Sequence, residues 1–235
     1  MDGIKSRREI KAIARANLAK QRGTGICILL LFWLICFAGA MFLGVFLGVF
    51  LGISYVTLGM FFQTTILIWL FVWLTIIFID YPMLVNVYGC YIKIYRKKKT
   101  SASEVVSKLS VNYMRKVGGM FWMLLFEFLW MLLLIIPGFI MGYAYSMTPF
   151  ILADRPNVTA RQALKLSMRM TKGYKLKLFV LDLSWIGWGI LNILTLGILW
   201  IVYSGPYKLT TLAGYYIELR DQSVASGAID RSELV

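Results

Sequence analysis

Twenty-two of the 25 Lys and Arg residues fall in three short stretches, 1–23, 93–116 and 155–177, which carry seven, eight and seven of them. Long apolar runs alternate with these stretches, and the turns around Ser54, Pro137 and Thr195 carry no charge. Apolar runs of this length exceed any core strand, and basic gaps gather on the cytoplasmic side of a membrane. The pattern therefore predicts an all-α, polytopic membrane helical bundle at the cell membrane, with both termini cytoplasmic.

Composition agrees. The chain is 60% hydrophobic over 235 residues, with a mean hydropathy of +0.74, where a soluble domain is closer to half apolar. A net charge of +14 in a soluble protein would point to nucleic acid. Here it is assigned instead to loops facing anionic lipid, which attracts each basic side chain by about 1 kcal/mol, and no nucleic-acid partner is expected. The apolar run 25–53 is too long for a signal h-region and is expected to be retained as a first span. Cys27 and Cys36 are too far apart on one helix to pair, and Cys27, Cys36 and Cys90 read as packing residues.

Six transmembrane helices fit, at 25–52, 56–80, 117–136, 138–153, 176–194 and 197–219. They make three hairpins, about 25–80, 117–153 and 176–219, within a membrane domain of residues 24–220. Outer turns are expected at 52–57, 136–138 and 194–197, and Pro82 should bend the second span, so that 83–95 continues it or lies at the interface. Each hairpin is preceded by a cytoplasmic basic stretch opening with an S/T-x-x-E/Q capping box: Ser6…Glu9, Ser101…Glu104 and Thr159…Gln162. Each stretch ends at a basic-plus-glycine junction, and each returning helix carries one proline, Pro82, Pro149 or Pro206. This is the pattern of a weak internal repeat. Residues 1–23 form an amphipathic basic helix, with Ile4, Ile10, Ala14 and Leu18 on one face. It either lies on the inner leaflet or caps the first span. Residues 221–235 are expected as a flexible cytoplasmic tail.

Ionisable groups inside the apolar runs are the candidate site. Charge at membrane depth costs about 2.5–3.5 kcal/mol on insertion scales. Glu127 and Asp182 each follow a junction glycine, Gly118 or Gly173, by nine residues, roughly 13 Å along a helix, and Lys208 returns at a comparable level. The three are read as an intramembrane polar centre, either a structural lock or an ion, proton or lipid site; Asp80 reads as interfacial. Gly44, Gly48 and Gly52 form a tandem GxxxG stripe, expected to pack within the chain rather than between copies. Lys20, Arg22, Arg96, Lys97, Lys98, Lys99, Arg115, Lys116, Lys175 and Lys177 are the expected lipid-headgroup contacts. There is no histidine, no P-loop, no G-x-S-x-G and no metal spacing. No catalytic residue, metal or cofactor is assigned, and the chain is not read as an enzyme.

Several segments occur in a characteristic order: Ile135-Ile-Pro-Gly138, Tyr145 to Asp154, Ser167 to Lys175, Leu178 to Trp188, Leu194 to Gly197, and Pro206-Tyr207. Over roughly 80–220 the chain resembles the bacterial integral-membrane family catalogued as domain of unknown function 975. The resemblance implies a six-span bacterial inner-membrane protein and supplies no activity. It marks Pro137, Gly138, Asp154, Lys172, Gly173 and Pro206 as family-motif positions, with Asp182 also on the motif. The expected function is a non-catalytic membrane accessory protein in envelope homeostasis, stress response or immunity to membrane-active peptides. Its partners would be anionic lipid and a membrane protein or a second copy. The alternative is a transporter or lipid-handling protein using the polar centre.

Overall fold

The computed structural model describes residues 4–58 and 61–234, and the side chains at 43, 46, 47, 50–65 and 68 lie outside the described set. The chain is all-helical, 82% helix with no strands among the described residues. Among the described residues, five stretches are long and apolar enough to cross a membrane: Arg22–Phe42, Trp69–Tyr95, Tyr113–Leu133, Ile135–Asp154 and Lys175–Leu194.

The first two belong to unusually long rods. Helix α2 runs Arg22–Leu58 without a break, 37 residues or about 55 Å, well beyond a hydrocarbon core of about 30 Å. The outer turn expected at 52–57 is therefore helical as far as Leu58. No proline interrupts this stretch, and its glycines do not stop a helix held by apolar neighbours. The return begins with α3, Phe61–Thr75, passes through a π-helical turn, Ile76–Asp80, and continues as α4, Tyr81–Tyr95. Residues 83–95 thus continue the second rod.

Pro82 explains that turn. It has no N–H, so the Phe78 carbonyl four residues back loses its helical donor. The π-turn shifts the register, the Tyr81 N–H bonding Ile76 five residues back, and the Tyr113 hydroxyl donates to the Phe78 carbonyl. The last returning helix repeats the arrangement. A π-turn, Trp200–Ser204, precedes α12, Gly205–Ala225, with Pro206 in its first turn and the Gly205 N–H bonding Trp200. A Cβ at Gly205 would lie 2.4 Å from the Trp200 carbonyl, so this turn requires glycine. Between them, α7, Ile135–Tyr145, and α8, Thr148–Asp154, are separated just before Pro149. Ser167 stitches that break, donating to the Ala144 carbonyl at 2.7 Å and accepting from the Met147 N–H.

The segments after these prolines converge on the core. Tyr91 of α4, Phe150 of α8 and Tyr216 of α12 are almost wholly buried, and Phe150 stacks on Tyr216 at 5.7 Å. Helix α1, Arg7–Lys20, starts on the Ser6–Glu9 capping box. It buries Ile10, Ala14 and Leu18, spaced by four, against α12 and α4. Complete burial of Ile10 stabilises this docking by about 2 kcal/mol. Of the two placements open from sequence, the apolar face of α1 is thus turned onto protein. A Cβ at Gly214 would come within 2.8 Å of Ile10 and 2.5 Å of Tyr95. The C-terminal stretch read as a loose tail is packed: residues 221–225 complete α12, Ile229 and Leu234 are buried, and Arg169 pairs with Glu233 at 2.6 Å.

Two expected elements differ. Thr159–Gln162 closes its capping box at the start of α9, Ala160–Met170, but Ser101–Glu104 does not. The Glu104 carboxylate is drawn to Lys93 and Lys108, and charge-assisted bonds are about twice as strong as the neutral bond to an amide. The basic helix there shrinks to α5, Glu104–Ser107, and Asn112, at φ 52°, interrupts the chain before α6, Tyr113–Leu133. No described atom lies within 4 Å of a Cβ placed at Gly44 or Gly48. Side chains at 50–65 and 68, on the helix ends that face this stripe, lie outside the described residues, and so do the surroundings of Gly52, so the packing expected of the stripe within the chain falls outside what the structure describes.

Candidate functional site

Polar side chains gather where the basic stretches meet, in two clusters. In the first, Lys208 Nζ lies 2.9 Å from Asp182 Oδ1, joining α12 to α10, Lys175–Leu183. The Tyr143 hydroxyl lies beside the same carboxylate. Arg7 donates to the Val180 carbonyl at 3.3 Å, and Lys11 reaches Ser184 at 2.7 Å and the face of Trp185. Asp182 and Lys208 thus come together. They do so beside the charged N-terminal helix, at the basic edge of the molecule rather than at the mid-depth expected from counting residues. Helix α10 continues inward of this level as α11, Ile186–Leu194, after a break at Ser184 and Trp185.

Glu127 does not join that pair. Its Oε1 lies where a Cβ on Gly142 would be, at 2.9 Å, and Tyr81 is its ionisable neighbour. The glycine makes room for the carboxyl one residue before Tyr143, on another face of α7. Asp80 receives the Cys36 thiol. The polar centre read from sequence is therefore split.

The second cluster is larger. Asp154, at the end of α8, accepts both terminal nitrogens of Arg96, at 2.7 and 3.0 Å, the Tyr216 hydroxyl at 3.1 Å and Arg220 at 3.1 Å. Arg155 Nε stands 3.5 Å away. Opposite, Glu104 accepts from Lys93 and, at 2.6 Å, from Lys108. Burial pushes the Glu104 carboxyl up, but the hydrogen bonds from Lys108 and Lys93 outweigh this and bring it down to about 2. Between these acids Lys116 is buried, 5% exposed, donating to Asn86 Oδ1 at 2.7 Å and to the Lys108 carbonyl at 2.6 Å. Arg115 caps α8, donating to the carbonyls of Leu152 and Arg155 at 2.6 and 2.9 Å, free carbonyls of a helix C-terminus, and to the Val158 carbonyl before α9 at 2.9 Å. A cavity of about 270 Å³ lies among these groups.

The expected lipid contacts divide accordingly. Lys20, Arg22, Lys97, Lys98, Lys99 and Lys177 are exposed and Lys175 is half-buried, whereas Arg96, Arg115 and Lys116 turn inward to hold the second cluster. Gly173, at φ +81°, ends α9 in the left-handed region that glycine alone adopts without strain, with Lys172 exposed beside it. Pro137 opens α7, and a Cβ on Gly138 would lie 2.9 Å from the Met131 backbone, so glycine lets α6 and α7 close on each other. Sequence reading missed Glu104, Arg220 and Tyr216 as partners. The Glu104 to Lys108 spacing of four was a visible signal; Asn86, polar inside an apolar run, was another.

The model of one protein family, a protein of unknown function (DUF975), matches residues 46–223. The chain belongs to the DUF975 family. That match covers both DUF975 clusters apart from the contributions of α1, which precedes it. No curated protein and no solved structure matches the chain.

Proposed function

We propose that this DUF975 chain is a non-catalytic bacterial inner-membrane accessory protein that engages anionic phospholipid, in the service of envelope homeostasis, stress response or immunity to membrane-active peptides. Its spans are six, in three hairpins with both termini cytoplasmic; residues 197–204 and the first turns of α12 supply the last crossing. One observation carries the reading: most large exposed apolar side chains lie along the long apolar helices, and most exposed cations lie in the basic stretches between them. Trp33, Phe42, Trp69, Phe128, Leu132 and Leu196 are among the exposed apolar groups. Lys20, Arg22 and Lys97 to Lys99 ring the basic end, where each would gain about 1 kcal/mol against an anionic leaflet.

The full chain extracted from membranes should retain phosphatidylglycerol in excess over phosphatidylethanolamine, and rising salt should remove that excess, because surface attraction decays within a Debye length. Equal retention of both lipids, or an excess indifferent to salt, contradicts the reading. Deletion should sensitise cells to bacteriocins or detergents. A solute-uptake defect with normal envelope resistance would instead favour transport, which the split polar centre does not support.

A further inference from the structure

The cavity between α4, α6 and α8 has more positive charge than its acids can match. Lys93, Arg96, Lys98, Lys108, Arg115 and Lys116 line it against Glu104 and Asp154 alone. Both acids are already engaged, Glu104 by two lysines and Asp154 by two arginines and a tyrosine. Two lysines keep unspent donors. Buried Lys116 spends two of its three N–H groups on Asn86 and Lys108. The Lys98 ammonium has no partner among the described residues.

The cavity also opens at the N-terminal end of α6, a 21-residue helix, where unbonded N–H groups and the helix dipole favour an anion. Room comes from small residues: a Cβ on Gly89 would meet only Ala153 Cβ, at 3.4 Å. A volume of about 270 Å³ is several times the roughly 30 Å³ share of one water, enough for a phosphate and part of whatever bears it.

We infer that this cavity is a binding site for a phosphate group, which Lys116 and Lys98 hold through their unspent donors. The phosphate comes from a phospholipid head group or from a free anion. The inference rests on the lipid-engaging reading only for the choice between those sources.

The test uses the full chain in nanodiscs of phosphatidylcholine. Thermal stability is followed as phosphatidic acid is doped into the bilayer, and separately as inorganic phosphate is added at constant ionic strength against chloride. A ligand that binds only the folded state raises Tm with concentration. At least one of the two should do so. Lys98→Glu, at an exposed side chain, should weaken that ligand about tenfold or more, and Lys116→Met should abolish its effect, since each removes a charged donor. Should Lys116→Met fail to fold, Lys98→Glu decides alone. A shift with phosphatidic acid only identifies a head group; a shift with inorganic phosphate identifies a free anion. No shift with either, or a shift that Lys98→Glu leaves unchanged, overturns the site. Retention of phosphatidylglycerol that persists while the cavity fails leaves the lipid-engaging reading intact, and phosphate binding without any lipid preference does the reverse.

Discussion

Asp154 gathers Arg96, Arg220 and the Tyr216 hydroxyl on one carboxylate that is only 9% exposed. Removing one partner of such a buried network strands the others, which costs about 3–5 kcal/mol. Asp154→Asn should therefore lower thermal stability in detergent by about that much. Combining it with Arg96→Gln should cost less than the two single losses together; strict additivity would mean that the contact contributes nothing. Glu104 is a milder case with a pH signature. Its carboxyl titrates near 2 in the folded chain and near 4.3 unfolded. A folded value below the unfolded one means stability that is fully present above about pH 4.3 and is lost as pH falls towards 2. Wild type and Glu104→Gln should differ in Tm at pH 5 and converge as pH approaches 2, and a constant difference would exclude this titration.

Helix starts test the next level. Thr159 accepts from the Gln162 N–H, so Thr159→Ala should cost about 1 kcal/mol. Ser101 caps no helix, and Ser101→Ala should stay within about 0.5 kcal/mol of wild type. The Asp182–Lys208 pair links α10 to α12 with side chains 39% and 26% exposed. Asp182→Ala should therefore lose about 1 kcal/mol or less, and Lys208→Ala in addition should lose less than its own single cost. Equal, additive losses would show that the two do not interact. These cases mark how far sequence reaches. Two of three capping boxes were legible because their chemistry is local; the third failed because the ammoniums of Lys108, one turn on, and of Lys93, on α4, outbid the Ser101 N–H for Glu104. Pro82 announced a break, but not the π-turn that absorbs it. Asp182 and Lys208 were legible as isolated charges in apolar runs. The Asp154 cluster was not, since Arg96 and Arg220 lie 58 and 66 residues away in sequence and only the fold brings them together.

At the scale of the whole molecule, burial and exposure divide the chain between two ends. The core sits among α1, α4, α8, α9 and α12, while the outer parts of α2, α3, α6, α7 and α11 present apolar side chains outward. Aqueous solvent would not tolerate so much contiguous apolar surface, whereas lipid does. The long α2 rod then places residue 58 far from the basic end, and Leu196, 92% exposed at the tip opposite Lys208, should also face the outer side. Single cysteines at Ser101, Ser226 and Leu196 can test this in a background where Cys27, Cys36 and Cys90 are replaced. A membrane-impermeant maleimide applied to intact cells should label Leu196→Cys and spare Ser101→Cys and Ser226→Cys, which should react only after permeabilisation. Basic loops resist translocation, and Ser101 lies two residues after the run Lys97, Lys98 and Lys99, so its side is the most firmly set. Labelling of Ser226→Cys from outside, with Ser101→Cys protected, would require an odd number of crossings between them. That would remove the crossing assigned to residues 197–204 and place α12 on the outer face, where its packing against α1 could not form.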